Sequence, residues 1–235
     1  MPKVVLEGRR VVNNLVQSSS LYLVKTLFTM MIALLTVVGF LDKCLPNSGY
    51  PFMPSQLVLM EIFAIGLPSF ILALQPNHNL VKGKFIRNVL RKSLPGAITI
   101  ALQVIIGYLL AAPLGFTKPV LSTILILSAT FTSLLVLYMA CSPFNKLRVF
   151  MFAFVTVIIT IVFALSITGA VLDIPHFIHL DFREQFGYVA LVEYLGDYYN
   201  ATPLFLALSM SSISYVVIII INIFISTLEK LFTKK

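Results

Sequence analysis

Six stretches of the sequence are apolar over the length that a membrane helix needs. They occupy approximately residues 21–41, 52–74, 94–112, 119–140, 148–172 and 204–228. An α-helix rises about 1.5 Å per residue, so about 20 apolar residues cross the hydrocarbon core of a bilayer. Open sheets and irregular backbone would leave polar groups unpaired in lipid. The sequence therefore predicts an all-α integral membrane protein with six transmembrane helices.

Composition and charge support this class and give an orientation. Hydrophobic residues make up 59% of the chain and charged residues 11%, with a mean hydropathy of +0.98, which excludes an ordinary soluble domain. The net charge of +8 does not indicate nucleic-acid binding, because thirteen of the 17 basic residues lie at the termini or in the loops around 82–92 and 146–148. Under the positive-inside rule, this distribution predicts a multi-pass cell-membrane protein with both termini in the cytoplasm.

Polar sequence extends the first span toward the N-terminus. Residues 7–20 continue without a helix breaker into 21–41, which predicts one helix about 50 Å long. We therefore divide the chain into a cytoplasmic stalk, 1–20, and a six-helix transmembrane domain, 21–235. We expect the basic segment 75–92 to be a cytoplasmic loop. The acidic segment 173–203 should be an external loop, with a short interfacial helix as an option.

The second span contains features that a simple membrane anchor does not need. Glu61 lies about 10 Å into the helix, and Gly66 and Pro68 follow it within two turns. A proline inside a helix removes a backbone donor, which leaves a carbonyl available to a ligand. The functional interpretation of Glu61 is a cation ligand. The alternative is a carboxylic acid that is held neutral or bonded to a neighbouring helix.

Lys25 is the second ionisable residue inside a span. Its long side chain could reach the membrane surface, or it could face the ion site as an internal counter-ion. Thr29 lies four residues further on the same helical face, and Thr26 lies beside Lys25. We take an ion pair between Lys25 and Glu61 as the main mechanistic hypothesis. Polar residues in the other spans are interpreted mainly as helix packing, with an ion path as the alternative; among them are Gln103, Tyr108, Ser128, Thr130, Thr132, Ser133, Thr156, Thr160, Ser166, Thr168 and Asn222.

Two segments resemble the fifth and sixth transmembrane helices of P-type cation-transporting ATPases. They are EGRRVVNNLVQSSSLYLVKTLF, with the stalk pattern E-G-R-x-(V/I)-x-N-N, and PFMPSQLVLMEIFAIGLPSFILALQPN, with the pattern P-x-Q-L-x(8)-G-L-P. The four remaining spans then correspond to helices seven to ten. The Q-P-N ending and the basic segment after it are most similar to the bacterial cation-transporting ATPase E-type branch, whose members are associated with calcium.

The resemblance assigns functions to particular residues. The family's fifth-helix ligands fall on Thr26 and Thr29, and its sixth-helix ligands fall on Glu61, Ala64 and Ile65. The resemblance implies an ion-binding set, in which Glu61 is the metal ligand: Thr26, Thr29, Glu61, Gly66 and Pro68. It also implies a set of residues that couple the stalk to the site: Glu7, Gly8, Arg9, Asn13 and Asn14. One acid in place of several is a departure from calcium pumps. A single carboxylate with oxygen ligands suits Ca²⁺ or Mg²⁺, with a monovalent ion or a proton as alternatives.

The family's catalytic parts are not found in these residues. The D-K-T-G phosphorylation motif, the nucleotide-binding and actuator domains and the first four helices do not appear in the sequence. The resemblance thus implies the membrane half of an ATP-driven cation pump, with no cofactor of its own. ATP and Mg²⁺ are expected on an N-terminal half supplied in cis or in trans. We expect a fragment, a split gene product or an excised piece that does not hydrolyse ATP alone. The alternative is a stand-alone six-helix channel, carrier or membrane scaffold.

Overall fold

The computed structural model describes residues 2–46, 49–75, 84–142, 144–168, 172–174, 178–180, 193–195, 198–200 and 202–233. Apart from two short β-hairpins, these residues form a helical membrane bundle, as the sequence predicts. The helices are α1 (Pro2–Val37), α2 (Phe40–Cys44), α3 (Pro54–Leu59), a π-helical segment (Met60–Gly66), α4 (Leu67–Leu74), α5 (Phe85–Leu114), α6 (Lys118–Cys141), α7 (Lys146–Thr168) and α8 (Thr202–Thr233). Within the described part, six helical runs are long and apolar enough to cross a membrane, and α3 through α4 form one of them.

The first helix begins and ends earlier than predicted. It runs from Pro2 to Val37, whereas the sequence suggested that it continues to about residue 41. Gly39 adopts φ 71°, a left-handed conformation that a residue with a Cβ rarely takes, and this ends α1. The short helix α2 then turns the chain. The long stalk and span remain one helix, as expected.

The basic segment 75–92 is only partly a loop. Residues 76–83 lie outside the described residues, and α5 already begins at Phe85, after Lys84 in extended backbone. Arg87, Asn88, Arg91, Lys92 and Ser93 lower the mean hydropathy of this stretch, so the hydropathy pattern placed the start near residue 94. Arg87, Arg91 and Lys92 therefore lie in the first turns of this helix.

The connection between α7 and α8 contains two short hairpins. Strands β1 (Leu172–Ile174) and β2 (Ile178–Leu180) pair antiparallel, as do β3 (Glu193–Leu195) and β4 (Tyr198–Asn200). The sequence analysis did not anticipate these strands. Most of the segment 173–203 lies outside the described residues, so the interfacial helix that the sequence offered as an option stays a prediction.

The helix α6 lies at the centre of the bundle. Its apolar window is 78% buried, against 28% for α1 and for α8. Its small polar residues make this possible, because their hydroxyls donate to carbonyls of their own helix: Ser128 to Ile124, Thr132 to Ser128 and Ser133 to Ala129. Because these hydroxyl groups are already hydrogen-bonded, the side chains can pack between helices where no water is present.

Large apolar side chains cover the outer surface. Examples with more than half of their surface exposed are Met30 in α1, Phe70 in α4 and Phe224 in α8. On a soluble monomer such a surface would favour association, whereas around a membrane bundle it contacts lipid tails. The apolar outer surface therefore supports the same conclusion as the length of the six apolar runs, namely that these helices lie in a membrane.

Candidate ion-binding site

The second membrane run widens into a π-helix at the carboxylate. Glu61 is the second residue of the segment Met60–Gly66, and the N–H of Leu67 donates to the carbonyl of Ile62, five residues earlier. A Cβ on Gly66 would lie 3.0 Å from the carbonyl oxygen of Glu61, so a larger residue would crowd this turn. Pro68 follows without an N–H to donate. The sequence anticipated a break here, and the structure has instead a continuous helix with a widened turn, a feature frequent at functional sites.

Lys25 and Glu61 are in direct contact. The Nζ atom of Lys25 lies 2.5 Å from Oε1 of Glu61, and the two side chains are 33% and 36% exposed. A lone carboxylate within a membrane costs roughly 2.5 kcal/mol or more, so a neighbouring ammonium offsets an otherwise large penalty. The pair joins α1 to the π-helical segment. It is also accessible from the outside of the described bundle, so another molecule or ion could reach it.

The two threonines of the expected ligand set lie on α1 near this pair. Thr26 is exposed and donates its hydroxyl to the carbonyl of Tyr22 at 3.2 Å. Thr29 is half-buried and donates to the carbonyls of Lys25 and Thr26 at 2.9 and 3.1 Å. A hydroxyl that donates its proton keeps lone pairs that can accept a bond or bind a cation. Both oxygens therefore retain the capacity to act as ligands.

Neighbouring polar contacts hold the π-helical segment against α6. Gln56 is 1% exposed; its Oε1 accepts the N–H of Met53 at 3.0 Å, and its Nε2 donates to Ser122 Oγ of α6 at 3.1 Å. Ser133, also on α6, donates to the sulfur of Met60 at 3.3 Å. These contacts fix both the start of the run and the first turn of the π-helix. Gln56, the glutamine of the P-x-Q-L pattern, thus connects the start of this run to α6.

The stalk part of α1 is fastened to the C-terminal end of α4. Arg10 donates to the carbonyl of Leu74 at 3.2 Å, Asn14 to that of Ala73 at 2.8 Å, and Ser18 to that of Ser69 at 2.9 Å. The three donors are four residues apart and share one face of α1. Their acceptors include terminal carbonyls that have no partner within α4. Together with the Lys25–Glu61 pair, these contacts make an antiparallel ladder from the stalk to the carboxylate.

This ladder agrees only in part with the expected coupling residues. Asn14 takes part in it, and Asn14 also donates to the carbonyl of Gln75 at 2.6 Å. Glu7 is exposed and pairs with Arg10 at 2.9 Å. A Cβ added to Gly8 would meet no atom within 4 Å, so the surroundings of Gly8 on the described chain are open. For all five expected residues, including Arg9 and Asn13, a part in coupling stays a prediction.

Arg10 and Ser18 were not singled out from the sequence. The signal that could have found them is the spacing of Arg10, Asn14 and Ser18 at intervals of four, which marks one polar face on a helix entering a membrane. That face has to bond to something, but the sequence does not say to what. The partner is known only because α4 ends beside it.

A buried arginine ties three elements together at the same end of the bundle. Arg148 of α7 is 4% exposed; its Nε donates to Oε1 of Gln75 at 2.6 Å, and its Nη1 donates to the carbonyl of Cys141 at 3.1 Å. Gln75 follows α4 and Cys141 ends α6. Arg148 thereby connects α7 with the ends of both helices, next to the contact between Asn14 and Gln75.

A separate polar cluster joins α5, α6 and α8. Gln103 donates to Ser214 Oγ at 2.5 Å and to the carbonyl of Met210 at 3.3 Å, while Thr132 donates to Gln103 Oε1 at 3.2 Å. All of these side chains are buried. The bonds run between helices, as expected of packing contacts. Their geometry favours the packing interpretation of Gln103 and Thr132.

The acidic side chains of the described residues do not form a cluster that could hold a metal ion. Within the part of the chain that the structure describes, no group of three or more histidine, cysteine, aspartate or glutamate side chains is placed to hold a metal. Glu61 is therefore a single carboxylate beside an ammonium. A cation bound here needs further oxygen ligands from hydroxyls, carbonyls or another chain segment.

Comparison with known proteins identifies relatives. No protein-family model matches the chain. The calcium-transporting ATPase CtpE of Mycolicibacterium smegmatis is 32% identical over 160 residues, which cover 65% of this chain and 20% of that protein. The "probable cation-transporting ATPase exp7" of Streptococcus pneumoniae is 29% identical over 150 residues, covering 63% and 19%. CtpE of Mycobacterium tuberculosis is 34% identical over 118 residues, covering 47% and 14%.

These relatives are several times longer than this chain, which spans about a fifth of the length of the first two. Their names describe transport of calcium or of a cation by an ATPase. The six membrane runs are those expected of a pump's membrane region. The chain is therefore homologous to cation-transporting ATPases, in agreement with the resemblance of its stalk and second span to the membrane region of P-type pumps.

Proposed function

We propose that this chain is the membrane half of an ATP-driven cation pump and that the cation binds at Glu61. The observation on which this rests is the Lys25–Glu61 ion pair at a π-helical turn that precedes a proline. A simple membrane anchor would have no use for such a pair, since replacing a buried ion pair with apolar residues is often neutral or stabilising. The relatives named as cation-transporting ATPases support the same conclusion.

The ammonium of Lys25 would compete with the transported cation for the carboxylate. When the cation occupies the site, Lys25 has to withdraw, and when the cation leaves, Lys25 neutralises Glu61. Glu61 thus always has a positively charged partner within the membrane. Glu61 would be assisted by the hydroxyls of Thr26 and Thr29 and by carbonyls near Gly66 and Pro68. Such oxygen ligands suit Ca²⁺ or Mg²⁺.

The ladder between α1 and α4 would transmit a movement of the stalk to Glu61. A displacement of the stalk would act through Arg10, Asn14 and Ser18 on the carbonyls of α4, and α4 continues directly from the π-helical segment. A π-helical turn holds an extra residue relative to the α-helix around it, so it can change its bonding at small cost. Movement of the stalk would then alter the position of Glu61 relative to Lys25.

The energy source would lie on an N-terminal half in cis or in trans, with ATP and Mg²⁺ bound there. The distribution of basic residues favours a cytoplasmic position for both termini, which would bring the stalk to the same side as ATP. The exposed side of the Lys25–Glu61 pair is where a helix of that half could complete the ion site.

The test is ATPase activity of this chain co-expressed and co-purified with the N-terminal half encoded in its source genome. With the Mg²⁺ complex of ATP held at constant concentration, we expect vanadate-sensitive hydrolysis that is stimulated by one cation of a panel of Ca²⁺, additional free Mg²⁺, monovalent ions and protons. Glu61→Gln should abolish the cation dependence, whereas Asp42→Asn, which removes an acid from the short helix α2, should retain it. A folded, co-purifying pair without cation-dependent hydrolysis would contradict the proposal and favour a channel, carrier or scaffold.

A further inference from the structure

Three adjoining cavities lie at the end of the bundle that carries the start of α1 and the end of α8. Their volumes are about 470, 580 and 420 Å³. Arg91 of α5 lines all three, and Asn222 of α8 lines two of them. The three cavities therefore share Arg91 as part of their walls, and the described residues that line them include neither Lys25 nor Glu61.

The cavity of about 470 Å³ is a polar chamber. Its polar lining consists of amides, a hydroxyl and two cations: Asn13, Ser20, Asn88, Arg91, Lys92 and Asn222. Arg91 and Lys92 are exposed. None of the described residues that line the chamber is acidic. The described lining thus carries two positive charges and no negative charge, which suits a phosphate.

The cavity of about 580 Å³ is an apolar groove that opens beside this chamber. Phe85, Ile86, Leu90 and Leu94 of α5 line it together with Ile225 of α8. Lys84, Arg87 and Arg91 stand at its border. Ile86 is 69% exposed, so the groove has an apolar wall open to its surroundings. A hydrocarbon chain in the groove would begin where the basic residues are.

This head-and-tail arrangement matches one class of molecule. Basic pockets between membrane helices at the cytoplasmic side bind the headgroups of anionic lipids. A soluble phosphate would use the polar chamber but leave the apolar groove uncovered. We propose that an anionic phospholipid binds between α5 and α8, with its phosphate at Arg91 and Lys92 and an acyl chain along Phe85 to Leu94. Because α1 and α6 also border the chamber, the lipid would hold the base of the stalk against the bundle.

The experiment measures lipid binding by the full chain purified in a neutral detergent. Phosphatidylglycerol and phosphatidylcholine are added to separate samples. Native mass spectrometry counts the bound lipid molecules, and the rise in melting temperature measures the stabilisation that they cause. Arg91→Gln/Lys92→Gln is compared with Lys3→Gln/Lys146→Gln, which removes two exposed cations at the same end but outside the cavities. Circular dichroism without added lipid shows that both variants fold.

We expect wild type and the control variant to bind phosphatidylglycerol in preference to phosphatidylcholine. The affinity of Arg91→Gln/Lys92→Gln for phosphatidylglycerol should fall roughly thirtyfold, since each basic residue near an anionic lipid contributes about fivefold. Equal binding of the two lipids, or equal losses in the two double variants, would overturn the proposal.

The source of the phosphate is tested with soluble compounds. Glycerol phosphate and inorganic phosphate, at concentrations where phosphatidylglycerol saturates the chain, should leave the melting temperature unchanged. A full stabilisation by either compound would show a site for free phosphate and would exclude the lipid. The measurement does not involve ATP or a transported cation, so its outcome is independent of the proposed pump.

Discussion

At the scale of single residues, the two charges at the centre of the site depend on each other. Lys25 and Glu61 are each about one-third exposed and lie in contact, so neither charge is solvated as it would be in water. Removing one partner leaves the other uncompensated at membrane depth, which costs roughly 2.5 kcal/mol before relaxation. Removing both is expected to cost less than removing either one.

We predict that Lys25→Met lowers the melting temperature of the purified chain, and that Lys25→Met/Glu61→Leu recovers most of the loss. Breaking the pair leaves a carboxylate without its ammonium, whereas the double variant removes both charges. Thermal unfolding in detergent measures the effect, with Lys43→Met outside the long spans as a control. Additive losses in the double variant would mean that the pair contributes no coupling energy.

In the co-purified pump, Lys25→Ala should raise the apparent affinity for the activating cation, on the order of tenfold for an interaction of about 1.4 kcal/mol. The affinity rises because the cation no longer has to displace an ammonium from Glu61. Turnover should fall, because no positive side chain neutralises Glu61 when the cation is released. The cation dependence of ATP hydrolysis measures both effects, and Lys25→Arg retains the charge as a control. Unchanged affinity and turnover would favour a lysine that only reaches toward the membrane surface.

At the scale of elements, the crossing of α1, α5 and α6 depends on one glycine. A Cβ on Gly96 of α5 would lie 2.5 Å from Cγ2 of Val136 in α6 and 3.4 Å from Cγ1 of Val24 in α1. Valine has a stiff side chain, so the overlap cannot be relieved by a rotamer change alone. Small residues at such crossings allow membrane helices to approach closely.

Gly96→Ala should therefore destabilise the chain by roughly 1–3 kcal/mol, the usual cost of overpacking. Gly8→Ala is the matched control: Gly8 is helical with no neighbour within 4 Å of the added Cβ, so alanine there should be neutral or stabilising. Chemical unfolding in detergent compares the two. Adding Val136→Ala to Gly96→Ala should cost less than the sum of the single changes, and strict additivity would contradict the proposed overlap.

At the scale of the whole molecule, α7 is held in the bundle by a buried cation as well as by apolar packing. Arg148 reaches across to Gln75 after α4 and to the carbonyl of Cys141 at the end of α6. The backbone carbonyl of the same Gln75 accepts from Asn14 of the stalk. One small region thus joins stalk, ion-site helix and α7, which is how a motion of the stalk could be shared by the bundle.

Arg148→Met should lower stability by about 1.5–3 kcal/mol, the range for hydrogen bonds to charged groups, because Gln75 and Cys141 each lose a donor. Arg148→Lys should recover little, since an ammonium lacks the planar fork of the guanidinium. Thermal unfolding and limited proteolysis of the α6–α7 link measure the change. Full recovery by lysine would mean that the charge alone, and not its geometry, fastens α7.

Much of the membrane architecture follows from the sequence. Apolar runs of membrane length and the distribution of basic residues determine six helical spans, because lipid offers no partner for unpaired backbone groups. Glu61 stands out as a carboxylate inside a span, and Lys25 as an ammonium inside another. Helix ends were less predictable: Gly39 ends α1 early and α5 begins at Phe85, since both ends lie where hydropathy changes gradually.

Only the tertiary structure decided which residues meet. Lys25 and Glu61 contact each other because α1 and α4 run antiparallel in one register, a register set by the bonds of Asn14 and Ser18 to α4 carbonyls. The π-helical turn was also beyond the sequence, because Gly66 and Pro68 predict an interruption of the helix but not how the backbone continues across it. Hydropathy and local propensity act within one helix, whereas the partner of a polar side chain is set by helices distant in sequence.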